Sequence, residues 1–269
     1  MPHIPLLSRL DDGVLVLTLN RPERRNALTP ELYEQLLEAL QDAAVAAEVG
    51  AVVLTGAGQA FCAGGDVTRM ASRAEPLDFE YRVARLRRRA RICELLHTMP
   101  KPTLAMMRGP AVGAGLSLAL ACDMRLGDAS VRMRTGFLQV GLPGDYGGHY
   151  FLPRLVGMAK ARELYLTSPM LDADSAQRLG LLNQVHASER LEPAAMELAA
   201  GWARGPRTAL AYLKQNLNQG LQDTLGGVLD GEAWRHVRCT ETEDHKEAAR
   251  AFTEKRTPRF GRHIQTTEG

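Results

Sequence analysis

The sequence predicts a layered α/β core followed by an all-helical C-terminal region. Short apolar runs ending in turn residues alternate with amphipathic segments up to about residue 188, a pattern typical of buried strands connected by helices. Beyond that point the apolar residues recur only at helical spacing. We therefore expect two units, a core over residues 1–190 and a helical region over residues 191–269.

The expected strands are short apolar runs that Gly, Pro or Asn residues interrupt. They are residues 14–19, 51–55, 103–107, 124–126 and 182–185. The first two flank a predicted helix, with Thr29 as its cap and Pro30 at its first position. Four further helices are predicted at the C-terminal end, over residues 189–203, 206–219, 221–239 and 241–256.

Composition excludes several classes of protein. The 269 residues include 33 Lys and Arg against 31 Asp and Glu, for a net charge of +2, which argues against nucleic acid as the main partner. Four cysteines without a Cys-x-x-Cys pair argue against disulfide frameworks and bound metal. The longest uncharged run, residues 49–65, has 17 residues, whereas a membrane span needs about 20 apolar residues. With no signal peptide evident, we expect a cytoplasmic protein that does not bind membranes.

Residues 82–91 contain six arginines. One interpretation is a solvated helix face, and the other is an electropositive lip for a phosphorylated ligand. The sequence alone does not decide between them.

Two glycine-rich turns are the first candidates for chemistry. They are residues 61–66 (Phe-Cys-Ala-Gly-Gly-Asp) and residues 113–117 (Gly-Ala-Gly-Leu-Ser), each between an expected strand and an expected helix. Unpaired backbone N–H groups at two such turns could hold a carbonyl oxygen that gains negative charge. The alternative is that these glycines only allow close packing of helix and strand.

Other motifs fit these turns less well. Neither turn supplies the third glycine of a dinucleotide fingerprint, and no Gly-Lys-Ser or Gly-Lys-Thr phosphate loop is present. Ser117 lies in a near match to the Gly-x-Ser-x-Gly elbow of serine hydrolases, with Asp145 and His186 following in triad order. A serine thioesterase is therefore one alternative.

Six motifs together resemble the crotonase (enoyl-CoA hydratase/isomerase) superfamily, in order and over nearly the whole chain. They are residues 19–28, 61–66, 109–115, 143–148, 152–157 and 251–260. The resemblance implies a spiral of strand–strand–helix turns with a helical C-terminal region, assembled as a homotrimer or a dimer of trimers. It also implies an acyl-CoA thioester substrate, with coenzyme A as part of that substrate and no separate cofactor.

The resemblance also implies roles for individual residues. The backbone N–H groups of Gly65 and Ala114 would hold the thioester enolate oxygen. The residues implied in contacts with coenzyme A or substrate are Arg24, Ala27, Ala63, Asp66, Val67, Ser117, Phe137, Phe252 and Lys255. Of these, Phe252 and Lys255 would reach the ligand from the tail, often from a neighbouring subunit.

The departures from the family pattern bear on the reaction. Ser117 and Phe137 stand where similar hydratases have their two glutamates, and neither is a base at neutral pH. Asp145 resembles the aspartate of family members that act as 1,3-isomerases, aryl-CoA dehalogenases or naphthoyl-CoA synthases. We therefore expect a double-bond isomerase with Asp145 as its acid/base.

Several alternatives stay open from the sequence. Asp145 could merely cap the following helix. The protein could be a hydratase or another lyase that uses an unrecognised residue, or a CoA-binding protein without catalytic activity.

Overall fold

The computed structural model describes residues 4–66 and 78–261, which form two β-sheets surrounded by helices. A six-stranded sheet has the order β1-β2-β3-β4-β6-β9, and a three-stranded sheet has the order β5-β7-β8. The strands are Leu6–Asp11 (β1), Val14–Leu19 (β2), Ala51–Gly56 (β3), Thr103–Met107 (β4), Pro110–Val112 (β5), Met124–Asp128 (β6), Arg132–Arg134 (β7), Leu171–Asp172 (β8) and Gln184–His186 (β9).

The helices connect these strands and continue beyond them. They are Pro30–Val45 (α1), Phe79–Thr98 (α2), Ala114–Ala121 (α3), Gly148–Thr167 (α4), Ala173–Arg178 (α5), Ser188–Ala203 (α6), Arg207–Gly220 (α7), Leu225–Thr240 (α8) and Glu243–Thr253 (α9). Thr29 caps α1 by accepting a hydrogen bond from the Leu32 N–H, as its sequence position predicts. Within the described ranges, no helix is both long and apolar enough to cross a bilayer.

From β4 to β7, consecutive strands alternate between the two sheets, which gives this part of the chain its spiral course. Strand β4 lies in the large sheet and β5 in the small one, and α3 follows; β6 and β7 repeat this order before α4. Apart from the antiparallel pairs β1–β2 and β7–β8, neighbouring strands are parallel. The predicted α/β fold with strand–strand–helix turns is confirmed.

Both faces of the large sheet are buried at its centre, so the strands β2, β3 and β4 are nearly continuous apolar runs. One face packs against α1, α2 and α3 through a core that includes Leu17, Leu36 and Leu118. The other face packs against α6, where Ala195 and Ala199 lie against the sheet with a second set of strand residues. The predicted boundary between residues 190 and 191 falls in the first turn of α6.

The C-terminal region is helical, as predicted. Helices α6 to α9 begin and end within a few residues of the expected positions, and no strand follows β9 in the described chain. Helix α7 is fixed to the core through Lys214, whose ammonium group donates hydrogen bonds to Asp123 (2.8 Å) and to the Leu96 carbonyl oxygen (2.8 Å).

Candidate active site

The fold brings the two glycine-rich turns into contact. The Cys62 N–H donates to the Pro110 carbonyl oxygen (3.0 Å), and the Val112 N–H donates to that of Cys62 (3.0 Å). Gly115 lies so close to this segment that a Cβ atom there would be 2.2 Å from the Cys62 carbonyl oxygen. The packing interpretation of this glycine is therefore correct, and the same packing places the turns side by side.

The two predicted oxyanion donors lie at this contact. Neither the Gly65 N–H nor the Ala114 N–H donates a hydrogen bond to another described residue, and Ala114 begins α3, where N–H groups lack a partner within the helix. A Cβ atom on Gly64 would lie 3.5 Å from the Ala114 nitrogen. Two unpaired N–H groups on adjacent turns can stabilise an oxyanion.

A third segment, residues 21–28, supports the first turn. The Leu28 N–H donates to the Gly64 carbonyl oxygen (2.8 Å), and the Ala63 N–H donates to that of Arg25 (2.9 Å). Asn26 is fully buried and donates to the carbonyl oxygens of Ala57 (2.9 Å) and Ala60 (2.7 Å). Asn26 was not predicted to have a role, although its side chain holds this loop together.

Asp66 is held beside the same loop. The Arg21 guanidinium donates to the Ala27 carbonyl oxygen (2.7 Å) and lies 3.4 Å from an Asp66 carboxylate oxygen. Ala27 and Ala63 therefore lie on a segment that backbone bonds and one largely buried ion pair fix. The contacts of Ala27, Ala63 and Asp66 with coenzyme A stay predictions.

Ser117 and Phe137 both lie next to the second turn. Ser117 is 2% exposed, and its hydroxyl donates to the Gly113 carbonyl oxygen (3.4 Å) and the Asp145 carbonyl oxygen (3.2 Å). The buried Phe137 ring lies beside Gly113, where an added Cβ atom would be 3.7 Å from it. Neither side chain can supply a base, and Ser117 instead connects the turn to Asp145.

Asp145 is a partly buried carboxyl group with an unpaired oxygen. Its Oδ1 atom is buried and has no hydrogen-bond partner among the described residues. Burial raises its pKa from 3.8 to about 6. The residue that caps α4 is Gly147, so the helix-capping interpretation of Asp145 is wrong.

Three tyrosines surround Asp145. Tyr33 and Tyr146 stack with ring centroids 5.5 Å apart. Tyr165 lies in the last turn of α4, and its hydroxyl oxygen reaches the start of the same helix, where a Cβ atom on Gly148 would be 2.4 Å from it. Burial, and then the charge of Asp145, raise the pKa of Tyr165 to about 12. These phenols stay neutral at physiological pH, so Asp145, and none of the three tyrosines, changes its charge near neutral pH.

Other predicted residues do not join this cluster within one chain. Arg24 is exposed, and Phe252 is 86% exposed on α9, with no hydrogen bond, ion pair or ring contact to the cluster. Lys255, just beyond α9, is likewise exposed. The ring of His186 bonds to Gln184 (2.9 Å) and does not meet Ser117, so no serine triad forms. Val67 lies outside the described residues.

The described residues offer no metal centre. Nowhere in residues 4–66 and 78–261 do three or more His, Cys, Asp or Glu side chains group in a way that could hold a metal ion. The chemistry available at this site consists of two backbone donors and a carboxyl group whose pKa is near neutrality.

Comparisons with known proteins identify the family to which the chain belongs. Residues 9–263 match the family profile described as enoyl-CoA hydratase/isomerase. The 1,2-epoxyphenylacetyl-CoA isomerase of Escherichia coli is 35% identical over 257 residues, 95% of this chain and 97% of that protein. The short-chain-enoyl-CoA hydratase of Clostridium acetobutylicum is 34% identical over 246 residues, 90% of this chain and 92% of that protein.

A solved structure agrees with these sequence matches. The crystal structure of an enoyl-CoA hydratase from Polaromonas sp. JS666 superposes with a TM-score of 0.88 at 35% identity, covering 94% of this chain and 98% of that one. The chain belongs to the enoyl-CoA hydratase/isomerase family, the crotonase superfamily, and is an acyl-CoA enzyme.

Proposed function

We propose that this protein is an enoyl-CoA isomerase that moves the double bond of a 3-enoyl thioester from C3–C4 to C2–C3. The observation that carries the proposal is Asp145, a partly buried carboxyl group with an unpaired oxygen and a pKa of about 6, connected through Ser117 to the turn of Ala114. A base of this pKa is largely ionised at neutral pH and returns a proton readily once protonated.

The reaction proceeds in two proton transfers. The Asp145 carboxylate removes a proton from C2 while the thioester oxygen, which becomes an enolate oxygen, accepts hydrogen bonds from the Gly65 and Ala114 N–H groups. The electron pair of the broken C–H bond is delocalised over the dienolate. The protonated Asp145 then returns the proton to C4, and the double bond lies between C2 and C3.

The names of relatives support this chemistry without deciding it, because they include an isomerase and a hydratase. Water addition would need a group that activates water, and Ser117 and Phe137 are not bases. Hydration is nevertheless the second candidate function, on the strength of the hydratase relative.

The experiment compares the wild type with Asp145→Asn on trans-3-hexenoyl-CoA, with formation of the 2-enoyl product followed by absorbance. We expect kcat to fall by about 10²-fold or more, because the amide cannot accept the proton. The matched control is Asp174→Asn, the same change at an exposed aspartate on α5, which should leave kcat unchanged. Full activity of Asp145→Asn, or crotonyl-CoA hydration as the main reaction, would contradict the proposal.

We also propose that the coenzyme A site, in the cytoplasm, is completed by assembly as a homotrimer or a dimer of trimers. The C-terminal helices expose large apolar side chains, which single folded chains seldom leave in water. They include Leu213, Leu217, Leu229, Trp234, Val237 and Phe252. Light scattering should give three or six times the chain mass of 29.4 kDa, and a monomer would contradict assembly.

A further inference from the structure

The thiol of Cys62 forms hydrogen bonds to two different segments of the candidate site. Cys62 is fully buried, and its Sγ atom donates to the Asn26 carbonyl oxygen (3.2 Å) and accepts from the Gly64 N–H (3.5 Å). Asn26 belongs to the supporting segment of residues 21–28, whereas Gly64 lies in the first glycine-rich turn. The thiol therefore connects the turn to the segment that supports it.

These polar contacts distinguish Cys62 from a cysteine that only fills space, which is a common use of buried cysteines. Burial raises the pKa of the Cys62 thiol to about 12, so the thiol keeps the hydrogen that it donates to Asn26. The buried Cys122 offers a comparison. Its thiol donates to the Leu118 carbonyl oxygen (3.6 Å), four residues earlier, and Cys122 follows the end of α3 that is opposite to Ala114.

The peptide group between Gly64 and Gly65 carries one of the two proposed oxyanion donors. Its carbonyl oxygen accepts a hydrogen bond from the Leu28 N–H (2.8 Å). In a planar trans peptide the C=O and N–H groups point in opposite directions, and no peptide bond of the described residues is cis. The Gly65 N–H therefore points away from Leu28, in a direction that depends on how Gly64 is held.

Gly64 is held at both of its backbone polar groups. The Cys62 thiol binds its N–H, and the Leu28 N–H binds its carbonyl oxygen. Its φ angle of +88° lies in the left-handed region, and glycine has more conformational freedom than any other residue. Rotation of the backbone at Gly64 would turn the Gly65 N–H and would break one of these two hydrogen bonds.

We propose that Cys62 is a positioning residue, whose thiol holds Gly64 so that the Gly65 N–H points at the thioester oxygen of the bound enolate. This inference rests on the proposed function, which places that oxygen between the N–H groups of Gly65 and Ala114. Hydrogen bonds weaken steeply as the N–H···O angle departs from linearity. The loss is larger for a charged enolate oxygen than for a neutral carbonyl oxygen, because charge-assisted hydrogen bonds are stronger.

The test measures binding of an enolate and does not depend on turnover. Acetoacetyl-CoA ionises to an enolate that absorbs in the ultraviolet, whereas butyryl-CoA has the same number of acyl carbons and stays neutral. We expect Cys62→Ala to weaken binding of acetoacetyl-CoA by about tenfold and binding of butyryl-CoA by less than about twofold, since complete removal of one oxyanion donor costs about 10²–10³ in rate. On 3-hexenoyl-CoA, kcat should fall by about tenfold with KM within about twofold.

Two further variants separate positioning from a structural role. Cys62→Ser keeps a group that donates and accepts, but its shorter bond to Cβ lengthens at least one hydrogen bond. It should bind acetoacetyl-CoA about two- to threefold less tightly than the wild type, which also covers the case in which Cys62→Ala does not fold. Cys122→Ala removes a thiol from another buried position and should leave both affinities unchanged. Melting curves check the fold of each variant.

Three results would overturn the inference. These are equal weakening of both ligands by Cys62→Ala, enolate binding by Cys62→Ser that is no better than that by Cys62→Ala, or the same selective loss in Cys122→Ala. Absence of enolate absorbance with the wild type would contradict the oxyanion site, and the inference with it. Full activity of Asp145→Asn would contradict the isomerase proposal alone, so the failures are distinguishable.

Discussion

The carboxyl group of Asp145 makes the stability of the protein depend on pH. Its pKa is raised from 3.8 to about 6 in the folded chain, so between these values the folded state binds more protons than the unfolded state. The contribution of Asp145 to the free energy of unfolding therefore falls as the pH rises. Above about pH 6 the carboxyl group is charged in both states, and the folded state is destabilised by the full cost of burying that charge.

Asp145→Asn removes this cost, because the amide does not ionise. The free energy of unfolding of the variant, minus that of the wild type, should increase by about 1–2 kcal/mol between about pH 4 and about pH 7, after allowance for partial exposure of the group. Urea denaturation at the two pH values measures this difference. For Asp174→Asn, the free energy of unfolding relative to the wild type should be the same at both pH values. A difference that shrinks with rising pH would contradict the raised pKa.

Asp145 and Ser117 could be identified from the sequence because each lies in a motif, whereas Arg89 lies in none. The guanidinium of Arg89 lies 4.8 Å from the centroid of the Tyr33 ring. A signal for Arg89 was nevertheless present. Arg89 precedes Ile92, Cys93 and Leu96 by three, four and seven residues, so it shares the buried face of the helix. The sequence does not show that the Nε atom of Arg89 lacks an acceptor, because this depends on which residues surround α1 and α2 in the folded chain.

The contact between the two glycine-rich turns depends on one residue of α3. A methyl group at Gly115 would be 2.2 Å from the Cys62 carbonyl oxygen and 2.8 Å from the Cys62 Cβ atom. The backbone of Cys62 cannot move aside as easily as the end of a flexible side chain. We expect Gly115→Ala to lower the free energy of unfolding by about 1–3 kcal/mol and to reduce kcat, because the turns of Gly65 and Ala114 would be pushed apart.

Gly201 offers a matched control for this prediction. It lies in α6 with no atom within 4 Å of an added Cβ, so Gly201→Ala should raise stability by about 0.5–1 kcal/mol through helix propensity alone. Both variants are measured by urea denaturation and by turnover of 3-hexenoyl-CoA. If Gly115→Ala behaved like Gly201→Ala, the close contact would not determine the geometry of the site.

Some elements were predictable from the sequence and others were not. Helices α6 to α9 are long enough to show helical spacing, and strands β2, β3 and β4 are apolar runs. Strands β5 and β7 have three residues each, too few for any pattern. Strand β1 has one buried residue in six, so it lacks an apolar run, and it is defined only by pairing with β2.

The attachment of the C-terminal helices to the core rests on an ion pair between a buried lysine and a partly exposed aspartate. Lys214 is 6% exposed, and its ammonium group donates three hydrogen bonds, to Asp123 (2.8 Å), the Leu96 carbonyl oxygen (2.8 Å) and the Lys101 carbonyl oxygen (3.1 Å). Asp123 also accepts hydrogen bonds from the N–H (2.7 Å) and hydroxyl (3.0 Å) groups of Thr103. This cluster joins α7 to the end of α2 and to the strands β4 and β6.

Removing one member of the pair should therefore loosen α7. We expect Lys214→Met to lower the free energy of unfolding by about 2 kcal/mol, because it removes the hydrogen bonds of the buried ammonium group, whereas the partly exposed Asp123 carboxylate is solvated. Asp123→Asn keeps an acceptor for Thr103, so the double variant should be more stable than the sum of the single changes predicts. Lys246→Met, at an exposed ion pair on α9, should change stability by less than about 0.5 kcal/mol. Denaturation at a fixed protein concentration measures the free energy of unfolding of all four variants. If the effects of Lys214→Met and Asp123→Asn were additive, the ion pair would not hold α7 to the core.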